Sequence, residues 1–271
     1  MVTISITSKI PEQLLELMWG IFFTSKSRGI LIGKHFPWIE IENDQTWYAV
    51  VFDDQKIIGG LVVRDVPKSK MHSTYKVASL GLVCIDSNYR GQGNAKKLLE
   101  AAIKEASVRG YDALTLWTQK SDIYVPHGFK LVDDSVFGLV EMLDINANQG
   151  MMNPIVREVL PNEFGLPPFA IGGVLIKSSN AHAIFIQDKT GLILADWIGV
   201  ETEVIKLLKA LPERSWRINA HQGDHLLADL KQEGAKLNIT PSRLQMWLPL
   251  KNTLSDLDWT KIFRFTVLDR I

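Results

Sequence analysis

Hydrophobic and polar positions alternate in short runs along this chain, interrupted by a few helical stripes. Residues 2–7 alternate with the two-residue period of a strand that has one wet face. In 11–23, Leu14, Leu17, Met18, Ile21 and Phe22 fall on one side of a helix. Residues 28–41 are mixed and predict a loop or short helix. Residues 46–52 and 56–63 predict two strands joined at Asp53-Asp54-Gln55. A polar loop over 67–73 precedes the apolar strand that ends in 80–85. Next, Ala95, Leu98, Leu99, Ala102, Ile103 and Ala106 recur with helical spacing, while Lys96, Lys97, Glu100, Lys104 and Glu105 fill the wet face. Gly110 stands where a C-terminal cap belongs. Residues 111–117 alternate again, and a strand near 136–143 is expected to close the first domain.

The second half repeats this order. Residues 146–168, with Asn, Gly and several prolines, read as a linker. Strands follow at 170–177, 182–187 and 192–197, the last two around the turn Asp188-Lys189-Thr190-Gly191. Val200, Val204, Leu207, Leu208 and Leu211 form a helical stripe. Trp216, Ile218 and Ala220 alternate as a strand, Asp224 opens a short helix that stops at Gly234, and 244–250 predicts a last strand. The expected fold class is therefore α/β (α+β), a mixed central sheet flanked by helices and duplicated. Its expected divisions are 1–145, a linker 146–168, and a degenerate second copy over 169–271.

The chemistry concentrates at Arg90-Gly91-Gln92-Gly93-Asn94-Ala95, between an apolar strand and an amphipathic helix. A glycine-containing turn that opens a helix presents successive N–H groups, and the helix N-terminus adds partial positive charge. Arg90 adds a cation. The glycine spacing does not fit a dinucleotide-binding turn, whose third glycine would fall at Lys96, and the Gly-Lys-Ser/Thr of a nucleotide-triphosphate loop is absent.

Residues 89–99, followed by a strand and by Tyr-x-x-x-Gly-Phe at 124–129, resemble the two central motifs of the GCN5-related N-acetyltransferase superfamily, over roughly residues 1–145. The resemblance implies that the loop binds the pyrophosphate of acetyl-CoA, that Val83, Cys84 and Ile85 pair with the pantetheine arm through main-chain groups, and that Tyr124 is the general acid for the leaving thiolate. It implies an N-acetyltransferase acting on a primary amine of a small molecule or peptide. Two alternatives stay open: a non-catalytic acyl-CoA-binding or regulatory module, and a transferase for another acyl-CoA. No Asp or Glu lies in 77–85, so the general base is unassigned among Asp86, Glu40, Glu42 and Asp44. In the second half the corresponding stretch, 195–201, holds Asp196 and Glu201 and no Arg or Lys, so it repels a pyrophosphate. Tandem relatives with one silent lobe are the nearest parallel.

Composition narrows the partners. Lys+Arg and Asp+Glu are each 30, so there is no basic excess to favour nucleic acid. No apolar stretch is long enough to span a membrane, no signal peptide is evident, and a single cysteine excludes an internal disulfide, so a cytoplasmic monomer or homodimer is expected. No metal is expected: His221 and His225 are four apart, but Gly223-Asp224 starts a helix between them and no third ligand appears. Trp197, Trp216 and Trp247 read as core or inter-lobe residues.

Overall fold

The computed structural model describes residues 1–26, 30–66, 74–142 and 155–271. The early elements are β1 (Val2–Thr7), α1 (Glu12–Phe22), α2 (Ile32–His35), β2 (Thr46–Asp53), β3 (Lys56–Asp65), β4 (Val77–Ile85), α3 (Asn94–Val108), β5 (Ala113–Trp117) and β6 (Lys130–Leu131). Then come β7 (Ser135–Met142), β8 (Val156–Val159), β9 (Gly172–Lys177), β10 (Ala181–Asp188), β11 (Gly191–Gly199), α4 (Glu201–Lys209), β12 (Ser215–His221), α5 (His225–Gln232), β13 (Ala235–Pro241), β14 (Gln245–Pro249) and α6 (Trp259–Ile262).

Two seven-stranded sheets result. Their orders are β1-β2-β3-β4-β5-β14-β6 and β8-β9-β10-β11-β12-β7-β13. Position for position the plans are the same, with β4 and β11 in equivalent places and one parallel pair in each, β4 with β5 and β11 with β12. The duplication read from the element order is thus present as two mixed sheets flanked by helices.

The strand that comes seventh in sequence within each repeat is exchanged. β7 follows β6 in sequence but pairs with β12 and β13 in the second sheet, and β14 lies between β5 and β6 in the first. The expected strand near 136–143 forms, but it does not close the first domain. One compact unit comprises Met1–Asp133, Leu244–Arg264 and Arg270–Ile271, and the other Asp134–Arg243 and Phe265–Asp269. The expected boundary at 145 is therefore displaced. Residues 146–154 of the expected linker lie outside the described residues, and Val156–Val159 is strand β8 rather than linker.

Both faces of the first sheet are covered, which accounts for the almost continuous burial of β2, β3 and β4. Leu98, Leu99, Ala102 and Ala106 of α3 pack with Leu61, Leu80 and Leu114 on one face. Leu14 and Met18 of α1 pack with Tyr48, Val62 and Leu82 on the other. In the second unit Val204, Leu207 and Leu208 of α4 and Leu226 and Leu230 of α5 cover Phe185, Leu194 and Ile218.

Side chains fix which strand goes where. Met246 and Leu248 enter the core beneath α3. Trp247 stacks on Trp259 of α6, with centroids 5.4 Å apart. The buried Thr115 hydroxyl donates to Met246 O at 3.0 Å and accepts from Gln245 Nε2 at 3.0 Å. In β7, a Cβ on Gly138 would lie 2.1 Å from Asn238 O of β13, so this backbone approach admits only glycine. Trp247 is thus a core residue of the first unit, and Trp216, edge-to-face with Phe185 at 6.3 Å, of the second. Strand β13 was not foreseen: its exposed positions hold Lys236, Asn238 and Thr240, and it ends in Pro241, as an edge strand does. No helix among the described residues is long and apolar enough to cross a membrane.

A fragment of residues 1–150 lacks β14, leaving β5 with an open apolar edge and β7 without its partners. It is expected to aggregate or to lack a cooperative melt. Size-exclusion chromatography and circular-dichroism melting check this; a soluble, cooperatively melting monomer would contradict the dependence on β14.

Candidate active site

β3 and β4 pair through Gly59↔Ile85 and Gly60↔Cys84, and then resume at Val62↔Gly81. Leu82 and Val83 therefore face Leu61 alone, which is a β-bulge. Leu82 takes a left-handed conformation with φ +49°, a strained one for a residue with a branched side chain. The bulge reverses the alternation. Leu80 packs beneath α3, Leu82 and Cys84 turn to the α1 face, and Val83 and Ile85 return to the α3 face.

On its other side β4 pairs with β5 only at Val77↔Ala113, Ala78↔Leu114 and Ser79↔Thr115. β4 continues to Ile85 without that neighbour, so the edge carrying Val83, Cys84 and Ile85 has no strand partner on the β5 side among the described residues. Burial pushes the Cys84 thiol up to about 12, despite a hydrogen bond from the Gly60 backbone and the field of Arg90. Its sulfur is a buried thiol, and only its main chain is placed to serve a ligand.

The strand leads into the 90–95 loop. Asp86 turns the chain by accepting from Asn88 N at 2.9 Å, and Lys56 Nζ lies 3.8 Å from its other oxygen. Arg90 Nε donates to Ile85 O at 2.9 Å, which ties the loop to the end of β4. Gln92 Nε2 donates to Asn88 O at 3.3 Å, and the buried Asn94 donates through Nδ2 to Tyr89 O at 3.1 Å. Gly91 and Gly93 have φ of +75° and +77°, and a Cβ on either would project into open space. Glycine is needed there for the backbone angle, not because the protein crowds it.

The helix α3 starts at Asn94 with no side-chain cap. Among the described residues no acceptor meets the N–H groups of Gln92, Gly93, Asn94, Ala95 or Lys96; the first helical donor paired is Lys97 N, to Gly93 O at 3.1 Å. Unpaired donors at a helix start, with the helix dipole behind them and Arg90 alongside, suit a group with several anionic oxygens.

Tyr124 stands in a tight turn after β5. Its N–H donates to Ser121 O at 2.9 Å, and the turn closes at Gly128 with φ +90°. Phe129 is buried beneath α3 and meets the Tyr124 ring edge-on at 5.8 Å. Leu248 of β14 lies 3.1 Å from where a Gly128 Cβ would be. The exchanged strand thus supports the tyrosine turn. Burial pushes the Tyr124 phenol up to about 12, so it stays protonated across the working range of an enzyme.

Of the carboxylates considered as bases, Asp86 is engaged with Asn88 and Lys56, and Glu40, Glu42 and Asp44 are exposed. The bulge at Leu82 had no signal of its own in the sequence. Gly81 had a partial one: a Cβ there would fall 2.4 Å from Ile271 O, a close approach that explains the glycine.

The equivalent position in the second unit is built differently. β11 ends at Gly199 and α4 begins at Glu201, with Val200 alone between them, whereas residues 86–93 separate β4 from α3. Glu201 and Glu203 occupy the first turn of α4. Among the described residues no cluster of three metal-type side chains occurs, and both ring nitrogens of His221 are already bonded.

Residues 12–127 match the sequence model of the acetyltransferase (GNAT) family. No curated protein matches the chain. Among solved structures, a GCN5-related N-acetyltransferase from Anabaena variabilis ATCC 29413 superposes with a TM-score of 0.67 at 17% identity, covering 92% of this chain and 73% of that one. Eis1 from Mycobacterium abscessus gives 0.58 at 12% identity, covering 92% and 74%. A tandem GNAT protein from the clavulanic acid biosynthesis pathway gives 0.56 at 9% identity, covering 93% and 99%. At these identities the likeness is one of fold, including its tandem arrangement.

The cradle yields a direct test. Calorimetric titration with CoA is expected to give one site per chain, and Gly93→Glu is expected to abolish binding by placing a carboxylate where the free N–H groups converge. Circular dichroism of the variant should show an intact fold. Two equal sites, or full affinity in the variant, would count against the assignment.

Proposed function

We propose that this member of the acetyltransferase (GNAT) family is an N-acetyltransferase that binds acetyl-CoA at the 90–95 loop of its first unit and acetylates a primary amine of a small molecule or peptide. The observation that carries the reading is that, among the described residues, the N–H groups from Gln92 to Lys96 meet no acceptor and follow a strand that has no strand partner on the β5 side beyond Ser79.

In this reading the loop N–H groups and Arg90 hold the pyrophosphate, with Gln92 and Asn94 keeping the loop in shape. Main-chain groups of Val83, Cys84 and Ile85 pair with the pantetheine arm, as an added strand would. Strand N–H groups polarise the thioester carbonyl and stabilise the oxyanion that develops when the amine attacks. The new C–N bond forms, the C–S bond breaks, and Tyr124 donates a hydrogen bond to the departing sulfur. Free thiols have pKa values of about 8.5. A phenol near 12 is a weaker acid than the thiol it serves. Tyr124 therefore stabilises the thiolate chiefly as a hydrogen-bond donor, and complete proton transfer to sulfur would run uphill by roughly 5 kcal/mol in the unliganded setting. The amine proton is routed to water, because β4 carries no carboxylate and Asp86 is engaged elsewhere.

The second unit has the same fold but lacks the cradle. Its proposed role is to supply β7's partners, while the chain that follows it returns to the first unit as β14, the strand on which the Tyr124 turn rests. The acyl group is proposed as acetyl by family habit; the loop itself recognises only the phosphates.

Two outcomes are expected with an accepted amine. Tyr124→Phe should lower kcat on the order of a hundredfold while leaving CoA affinity unchanged, as steady-state kinetics and calorimetry would read. An unchanged kcat would assign the tyrosine to packing. In the wild type, kcat/KM should rise with pH toward the acceptor's own pKa, about 10 for an alkylamine. The phenol, still protonated there, should impose no descending limb over that range. A plateau well below the acceptor's pKa would instead point to an enzyme base or to a step other than attack.

A further inference from the structure

We propose that His221 is a protonation-dependent clasp that holds the returning segment 265–269 on the second unit. His221 is the last residue of β12. Its Nδ1 lies 2.8 Å from Asp134 Oδ1, and its Nε2 lies 2.8 Å from Phe265 O. A carboxylate and a carbonyl can only accept hydrogen bonds. A neutral imidazole carries one N–H and satisfies one of them, leaving a lone pair facing the other oxygen. The imidazolium satisfies both. The ring is largely shielded from solvent, so a mismatch there is not readily relieved by water.

The surrounding charges act in the same direction. Asp134 stands at the entry to β7, and Asp224, just before α5, accepts from His221 N at 2.7 Å. Burial by itself lowers the imidazole pKa. The bond and charge of Asp134, the Phe265 carbonyl and the charge of Asp224 together outweigh it, and the net direction is up.

The clasped segment is anchored at both ends. Phe265 is buried, and Val267 packs with Ile186, Ile193 and Ala195 on the sheet face away from α4 and α5. Thr266 N and Oγ1 both donate to Asp269 Oδ2, at 2.7 and 3.1 Å, forming a small closed turn. The following residues, Arg270 and Ile271, belong to the first unit, where Ile271 lies against Gly81 of β4.

The sign follows from the raised pKa. The extra stability of the closed segment is fully present below the ordinary histidine value of about 6.5 and is lost as pH rises through the higher folded value.

The test uses the full-length protein without ligand. Hydrogen exchange read by mass spectrometry, corrected for intrinsic rates, gives the protection of segment 265–269 from pH 5.5 to 9, and the imidazole proton signals in NMR give the pKa of His221. Expected are a pKa above about 6.5 and protection that falls with pH, by up to about tenfold per pH unit between those two values and level outside them. Asp134→Asn should bring the pKa down and shrink that fall, and His221→Gln should abolish it. Protection of the wild type that stays level across the range, or a His221 pKa at or below the ordinary value, would overturn the clasp whether or not either variant folds. So would an Asp134→Asn protein with an unmoved pKa.

Discussion

The hydrogen-bonded ladder between β5 and β14 is the interaction on which the rest of the first unit depends. It runs from Gln245↔Trp117 to Pro249↔Ala113 and joins residues more than a hundred positions apart in the chain. Without it β5 would be an edge, β6 would have no neighbour, and the α3 core would lack Met246 and Leu248. Leu248 also lies beneath Gly128 and so supports the turn that carries Tyr124. The second sheet depends on β7 in the corresponding way, since β12 and β13 both pair with it. Each sheet is therefore completed by a strand from the other repeat. The stability of either is tied to synthesis and folding of both.

Within the first sheet, the proposed function and stability pull in opposite directions at β4. A strand paired along both edges would satisfy more backbone groups, but it would leave nothing for a ligand to pair with. Here pairing with β5 stops at Ser79↔Thr115, and the bulge at Leu82 puts strain in the strand just beyond. The well-packed surroundings, with Leu14 and Met18 on one side and Leu98 and Leu99 on the other, sustain that local cost. The 90–95 loop repeats the pattern: its side chains bond inward to hold the backbone, while its N–H groups from Gln92 onward meet no acceptor among the described residues.

The two units show how locally the repeat proposed to bind a ligand differs from its counterpart. Both keep a bulge between the third and fourth strands of the plan, at Gly60/Val62 in the first and at Ile184/Phe185 in the second. They differ in the connection that follows. Residues 86–93 give the first unit a cradle, while Val200 alone links β11 to α4, and Glu201 and Glu203 take the place of open, positive N–H groups. The face of the second sheet around Ile193 and Ala195 is instead covered by Val267 of the returning segment.

What the sequence determined by itself was local. The period of apolar residues marked most of the elements, and the order of elements disclosed the duplication. Glycines at 91 and 93 marked a loop that needs left-handed backbone, and their position between strand and helix marked it as a candidate anion cradle. The acids at 196 and 201 marked its counterpart as unlike it. What the tertiary structure decided was partnership. A two-residue period shows that 135–142 and 245–249 are strands with a buried face, but backbone hydrogen bonds are the same for every side chain, so the pattern is silent on which sheet each joins. The choice rests on contacts distant in sequence: Trp247 on Trp259, Gln245 on Thr115, Gly138 against Asn238. The bulge at Leu82 was hidden because leucine does not favour that backbone angle; surrounding packing imposes it. For the same reason His221 read as a poor metal ligand and nothing more, until the fold set Asp134 on one side of its ring and Phe265 on the other.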